Sequence, residues 1–467
     1  MIVAQDAHFW TEQYGTESML LSNSVIGSVD DLGAVYYNPG RLGLIENPAF
    51  VITGKIYQLS KTSFQKLTGD TPDATIRRSR FGGAPSLMAG SYKIDKWKKH
   101  HFAYAFLTRR NIDLSVKSSV DSFGDEIDEL PGNEYLSGGI ELNKRLKEEW
   151  FGGTWSYVPV PDIGLGVTGF ATVHDQEAFQ RMQLQTYTAE GNTEMYYNFK
   201  RYDFSQLGLL LKFGFAWETD KLSVGLTLTT PTMHILGKGA LEYERFGTYS
   251  SSGDQIYEKN QKEKLKVRYR TPLAIGGGLG YDILGGKLHI SGEYYHKINH
   301  YTIMEGETFW GQSSNREITP LLSDHLKSIF NYGFGYSREI NKTINFYLSY
   351  SSDYSSAIQK SDNTYDTNNG LMLSTHTSKV NHWAGGIVLE LNRSDVTFGV
   401  AHAMSKFPIS RPVDFPENVD HGLTINPDET AFIKWERWRF IVGISVSLLE
   451  DVATRLEKKV LSPGKDK

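Results

Sequence analysis

Six ionisable side chains stand on the polar side of otherwise apolar runs: Lys212, His289, Glu293, Lys297, Arg437 and Arg439. Groups placed this way can hold the carboxylate of a ligand, or they can pair with one another. Both readings stand on the sequence. More reactive arrangements are harder to assemble. Gly276-Gly277-Gly278-Leu279-Gly280 is glycine-rich enough for a phosphate loop. It continues a strand where such a loop would open a helix, so close strand packing is the expectation. His100-His101 has no partner at metal-ligand spacing, so no metal is expected there. Cysteine is absent, which removes disulfides and thiolate sites. No Ser/His/Asp set comes together. The chain does not read as an enzyme, and no cofactor is expected.

The elements that carry these charges alternate with a period of two. Leu207, Leu209, Leu211, Phe213 and Phe215 oppose Gly208, Lys212 and Gly214. Leu222, Val224, Leu226 and Leu228 oppose Ser223, Gly225 and Thr227. Leu288 and Ile290 oppose His289, Ser291 and Glu293, and Trp438, Phe440, Val442 and Ile444 oppose Arg437, Arg439 and Gly443. Such strands are half-buried, with one face in each environment.

About fourteen runs of this kind follow residue 48. The connections after the even-numbered runs are short: Asp95–His100, Pro159–Asp162, Glu218–Asp220, Leu284–Gly286, Asn341-Lys342 and Asn392–Ser394. Those after odd-numbered runs are long and polar, as in Lys61–Pro85, Ile112–Leu146, Met233–Lys264 and Ser405–Ile433. Regular short/long alternation over an even number of strands is the signature of an outer-membrane barrel. The apolar sets are then expected to face lipid and the charged sets the lumen, because Lys or Arg on the lipid side costs about 2–4 kcal/mol at mid-bilayer. Tryptophans are expected in two interfacial rings: Trp155 and Trp217 at the short-turn ends, and Trp150, Trp383 and Trp438 at the others.

The bulk numbers agree. The chain has 467 residues with 26 Tyr, 24 Phe and 45 Gly, a mixture that suits an all-β protein. Mean hydropathy is -0.38 and no apolar run approaches the length of a membrane helix. A net charge of -5 gives no basic footprint for nucleic acid. Met1–Asp6 reads as the end of a trimmed signal peptide, cut after Ala4.

Ahead of the first strand lies Gly27-Ser-Val-Asp-Asp-Leu-Gly-Ala-Val-Tyr-Tyr-Asn-Pro-Gly-Arg-Leu-Gly-Leu44. Ser28 with Asp31 has the spacing of a helix start. Asn38-Pro39 supplies a second start, Asn38 as cap and Pro39 at the first helical position. This order of small residues, Asp-Asp and Asn-Pro-Gly, followed at once by strands, resembles the hatch of the FadL/TodX family of outer-membrane transport proteins, in a Bacteroidota-type member. The match covers roughly Gly15 to Phe50, with Gly40 where the family usually has Ala. The resemblance implies a plug inside a fourteen-stranded barrel, with Asp30, Asp31, Asn38, Pro39 and Gly40 in the plug. Asp30 and Asp31 are expected to face lumen cations.

The expected architecture is therefore an all-β transmembrane antiparallel barrel. Residues 1–48 form the N-terminal segment and hatch, 49–448 the barrel, and 449–467 a short periplasmic helix. That helix is read from Leu449, Val452, Ala453, Leu456 and Val460 at helical spacing. The resemblance implies passive uptake of hydrophobic small molecules, fatty acids or aromatic hydrocarbons, across the bacterial outer membrane. The alternative is a non-transporting barrel subunit of an outer-membrane assembly or secretion complex. Its envelope partners would meet the tail helix and outer loops.

Overall fold

The computed structural model describes residues 7–45, 50–65, 74–81, 85–94, 96–124, 132–249, 254–315, 317–358, 379–391, 394–409 and 431–446. The expected tail helix at 449–467 lies outside these residues. The hatch contains two 3-10 turns, Ser18–Leu21 and Pro39–Gly43, and one turn of helix, α1 (Ala34–Tyr37). Next come β1 (Phe50–Gln65), β2 (Ala74–Phe81), β3 (Pro85–Lys93), β4 (His100–Gly124), β5 (Glu134–Val160), β6 (Ile163–Tyr187) and β7 (Thr193–Glu218). They are followed by β8 (Leu222–Thr229), β9 (Met233–Tyr249), β10 (Asp254–Lys266), β11 (Ala274–Ile283), β12 (Gly286–Tyr295), β13 (Ile298–Glu305) and β14 (Phe309–Trp310). The last are β15 (Glu317–Ile318), β16 (Leu321–Leu326), β17 (Ile329–Asn341), β18 (Ile344–Asp353), β19 (Val380–Leu391), β20 (Ser394–Ile409) and β21 (Ala431–Val446).

Seventeen of these strands form one sheet, and β1 pairs with β21 to close it. β2 with β3, β8 with β9, and β10 with β11 are each one interrupted wall strand. The wall is thus a closed antiparallel barrel of fourteen strands. β13 with β16, and β14 with β15, pair apart from the wall.

The alternation sorts as expected. Leu226 is 56% exposed on the outside, while Lys212 is 5% exposed within. An apolar exterior around a charged interior is the inverse of a soluble barrel, and it fits a wall standing in lipid. No helix among the described residues is long and apolar enough to cross a membrane.

Two expectations need correction. Much of Lys61–Pro85, Ile112–Leu146 and Met233–Lys264 is strand, because β1, β2, β4, β5, β9 and β10 lie in or continue through those ranges. β5 has 27 residues against 10 in β12, so it runs about 56 Å further at roughly 3.3 Å per residue. Beyond the apolar belt the outward face of β5, β6 and β7 carries charge, with Arg181 on Glu141 and Arg201 on Glu177. Hydropathy reads such a stretch as loop, but the hydrogen-bonded ladder needs no apolar face. The second correction is Trp150, which is buried inside the barrel, 6% exposed. It shares parity with the inward Glu148, to which its Nε1 donates at 2.8 Å. Trp155, Trp217, Trp383 and Trp438 face outward.

Candidate functional site

The hatch fills the short-turn half of the lumen, and its seat is made of backbone. A Cβ on Gly40 would come within 2.8 Å of the Gly164 carbonyl oxygen and 2.9 Å of the Gly214 one. A Cβ on Gly278 would lie 2.8 Å from the Gly27 nitrogen, and one on Gly225 would overlap the Ile26 carbonyl. The glycine run at 276–280 is thus a place of close approach, as expected, and Gly40 departs from alanine because the wall leaves no room. Asn38 is in extended backbone, with Pro39 at the first turn position; its Oδ1 accepts the Gly40 amide at 3.0 Å. Its Nδ2 donates to the Ile26 and Phe215 carbonyls, each at 2.9 Å, so one side chain caps the turn and ties the hatch to β7.

The first expected helix start is different in fact. α1 begins at Ala34 with no side-chain cap, and Ser28 instead shares a 2.7 Å hydrogen bond with His289 Nδ1. Asp31 faces no cation. Its carboxylate accepts the amides of Glu17, Ser18 and Gly33 and the hydroxyls of Thr16 and Ser18. Those donors replace the water it loses on burial; burial still raises its pKa above the usual value. Asp30 does meet cations: it pairs with Arg41 and with Lys287 at 3.6 Å. Arg41 also reaches Glu218 at 2.8 Å.

Five of the six strand charges pair with each other or with the hatch. Lys212 and Glu293 lie 3.7 Å apart, and Trp10 Nε1 donates to Glu293 at 2.8 Å. His289 links Ser28 to Ser337. Arg439 binds Glu12 at 2.6 Å, Arg437 stands 4.0 Å from the same carboxylate, and Lys55 pairs with it too. Lys297 is the exception. β12 ends at Tyr295, so Lys297 leaves the wall and is exposed.

Above the hatch lies a chamber of about 40 Å³. Phe9, Tyr36, Trp150, Leu210 and Tyr295 give it apolar walls; Arg109, Arg110, Glu148, Lys212 and Glu293 give it charge. An apolar cavity that takes benzene is about 150 Å³, so a guest requires side chains to move. The sequence reading passed over Arg109, Arg110 and Glu148. A signal for the arginines is present: strict alternation past Leu107 would turn one of two adjacent arginines outward. A β-bulge between Thr108 and Arg110 instead brings both inside.

Arg109 is the unusual member. Its guanidinium lies 5.6 Å from the rings of both Tyr36 and Trp150, and Nη2 donates to the Phe9 carbonyl. Nη1 is buried with no hydrogen-bond partner, and among the described residues no carboxylate lies within ion-pair distance of Arg109. The wall also changes here. β3 pairs with β4 as far as Leu87 opposite Leu107. Beyond that point, among the described residues, β2 pairs with β1 and β4 with β5, but β2 and β4 do not pair with each other.

No protein-family profile matches this chain, and no curated protein matches it by sequence. Solved structures do match. The toluene transporter TbuX of Ralstonia pickettii is 11% identical with a TM-score of 0.52, over 93% of this chain and 99% of that one. A Pseudomonas aeruginosa FadL homologue is 9% identical with a TM-score of 0.55, over 94% and 100%. The Pseudomonas putida toluene transporter TodX is 12% identical with a TM-score of 0.52, over 94% and 99%. The chain therefore has the fold of the FadL/TodX-type proteins. These neighbours are transporters or channels and not enzymes.

Proposed function

We propose that this chain is an outer-membrane channel for apolar small molecules, which it holds in the aromatic chamber and releases sideways between β3 and β4. The observation that carries the reading is the position of Arg109. One bulge lines the chamber and also marks where the β3–β4 pairing stops. A molecule leaving there enters the bilayer without crossing the hatch. The apolar exterior supports the membrane setting, and the toluene transporters of the same fold support the substrate class.

Within that class the chamber favours an amphiphile with a carboxylate, such as a fatty acid, over a neutral aromatic hydrocarbon. Arg109, Arg110 and Lys212 outnumber Glu148 and Glu293 by one charge, and Arg109 is the one of the three cations with no carboxylate at ion-pair distance among the described residues. A buried guanidinium gains from a charge-assisted partner. The test is calorimetric binding of dodecanoate and of toluene to the purified full chain. Arg109→Gln is expected to weaken dodecanoate roughly tenfold or more, since hydrogen bonds to charged groups contribute about 1.5–3 kcal/mol. Toluene should shift less than twofold. Binding of toluene alone would move the reading to hydrocarbons. Binding of neither, with stoichiometric protein partners in a mild-detergent pull-down, would favour the non-transporting subunit.

A further inference from the structure

The chamber has a roof in the interruption between β10 and β11. Lys266 ends one strand and Ala274 begins the next, and the residues between them bend inward. Gln206 on β7 grips this segment in both directions, donating to the Tyr269 carbonyl at 2.9 Å and accepting the Tyr269 amide at 2.6 Å. Thr271 and Pro272 line the chamber below.

From outside, the β13–β16 hairpin lies over the roof. The Arg268 amide donates to the Ile303 carbonyl at 2.9 Å, and the Arg270 amide donates to the Tyr301 hydroxyl at 3.1 Å. Tyr301, Ile303, Met304 and Leu322 are buried in one apolar cluster with Leu241 and Val267. The stem is narrow: Ser328 Oγ accepts both the Lys297 amide at 3.0 Å and the Tyr294 hydroxyl at 2.9 Å.

The outer end is held in another way. Along β10, Ser313 Oγ accepts the Tyr257 amide at 2.7 Å, and Gln312 Oε1 accepts the Lys259 amide at 3.0 Å. Gln312 Nε2 returns a bond to the Lys259 carbonyl at 2.9 Å. The Ser313 amide adds a bond to the Tyr257 carbonyl at 3.1 Å, and exposed Lys262 pairs with Glu307 at 2.5 Å, so a few solvent-exposed groups do what a neighbouring strand would do for that edge. Water can replace them group by group, which a strand ladder does not allow.

We infer that the β13–β16 hairpin is the outer gate of the chamber: release at Gln312 and Ser313 lets it lift about its stem and frees the 267–273 roof to admit a guest. This rests on the channel reading above. Because the chain has no cysteine, a single engineered disulfide can lock the hairpin. A Cβ on Gly306, just beyond β13, would lie 3.7 Å from the Leu241 side chain on β9, so Gly306→Cys with Leu241→Cys is the variant. The readout is the stopped-flow association rate of 12-bromododecanoate, whose bromine quenches tryptophan, with the purified full chain.

Oxidation is expected to slow association at least tenfold, and reductant to restore it. Equal rates in the oxidised and reduced protein, with the disulfide verified by thiol counting, would overturn the gate. Where the disulfide does not form, Gln312→Ala with Ser313→Ala decides: association should quicken about threefold, and an unchanged rate would overturn it. Wild-type protein that binds neither 12-bromododecanoate nor toluene would overturn the channel reading first, and the gate with it.

Discussion

Where the hatch meets the wall, Gly27, Pro39 and Gly40 lie against Gly164, Gly166, Gly214 and Gly278, backbone on backbone. Where the outer hairpin meets β10, the contact runs through Gln312, Ser313 and the Lys262–Glu307 ion pair, all at an exposed rim. The chamber between them has a floor seated backbone on backbone and a roof held by an apolar cluster and by a polar latch at an exposed rim. The difference assigns the traffic. On the channel reading proposed above, a guest would exchange through the roof and the side of the barrel while the floor stays shut.

The largest effect is expected from spoiling the floor. A Cβ on Gly214 would overlap Asn38 Oδ1 and come 2.7 Å from the Gly40 nitrogen. Gly214→Ala should cost about 1–3 kcal/mol of hatch seating, the usual cost of overpacking. That loss raises single-channel leak roughly five- to hundredfold. Gly277→Ala is the control, since a Cβ there meets Leu226 at an ordinary 3.4 Å on the outer face. Equal leak in the two variants would remove the distinction between floor and roof.

Asn38→Ala comes next. It removes the cap on Gly40 and both bonds to the Ile26 and Phe215 carbonyls. A cap contributes about 1 kcal/mol and each further bond about 0.5–1.5 kcal/mol. The freed carbonyls and amide can bind water once the hatch loosens, so these contributions do not add in full, and leak should rise about tenfold while the heat resistance of the barrel, read by gel mobility, stays put. A fall in heat resistance would show that the hatch supports the wall and does not merely fill it.

Acidity offers a graded version. Glu17 accepts the Tyr347 hydroxyl at 2.7 Å, and its pKa is raised to about 8, by burial first and by the nearby Asp31 carboxylate second. In a loosened hatch it would return toward the model-peptide range. A raised acid favours the docked state fully below the ordinary carboxylate pKa and loses that contribution as pH climbs toward 8. Leak is expected to grow between pH 5 and 8, by no more than about tenfold per unit. Glu17→Gln, which can still accept from Tyr347, should flatten the profile. A profile unchanged in that variant would assign the pH response to another group.

The smallest effect is expected at the rim. Gln312→Ala alone removes two exposed hydrogen bonds, and association of 12-bromododecanoate should quicken about twofold, because bonds open to water contribute near the low end of about 0.5–1.5 kcal/mol. An effect as large as that of Gly214→Ala would mean that roof and floor are held equally hard.

Much of this contrast was legible in the chain itself. The Asn38 cap followed from the adjacent pair Asn38-Pro39, and the packing role of Gly276–Gly280 from its place within a strand. The Ser28–Asp31 helix start was a misreading of real capping residues: Ser28 found its partner at His289, and Asp31 gathered Thr16, Glu17 and Ser18 besides the Gly33 amide in its own turn. Trp150 was placed in the outer belt by its distance along the strand, when its parity with Glu148 decided the matter. The upper parts of β4, β5, β9 and β10 looked like loops because a strand standing above lipid has no apolar face to show.

What the sequence determined by itself was the two-faced wall and its order of short and long connections, since period-two alternation and turn length are properties of neighbours in the chain. Closure of the barrel decided the rest. It brought Glu12 to Arg439 and the Phe9 carbonyl to Arg109, and it laid Gly27 on Gly278. Contacts across hundreds of residues depend on which strands pair and where a bulge falls. A single shifted residue at Arg109 turns one guanidinium from lipid to chamber, and alternation alone does not reveal it.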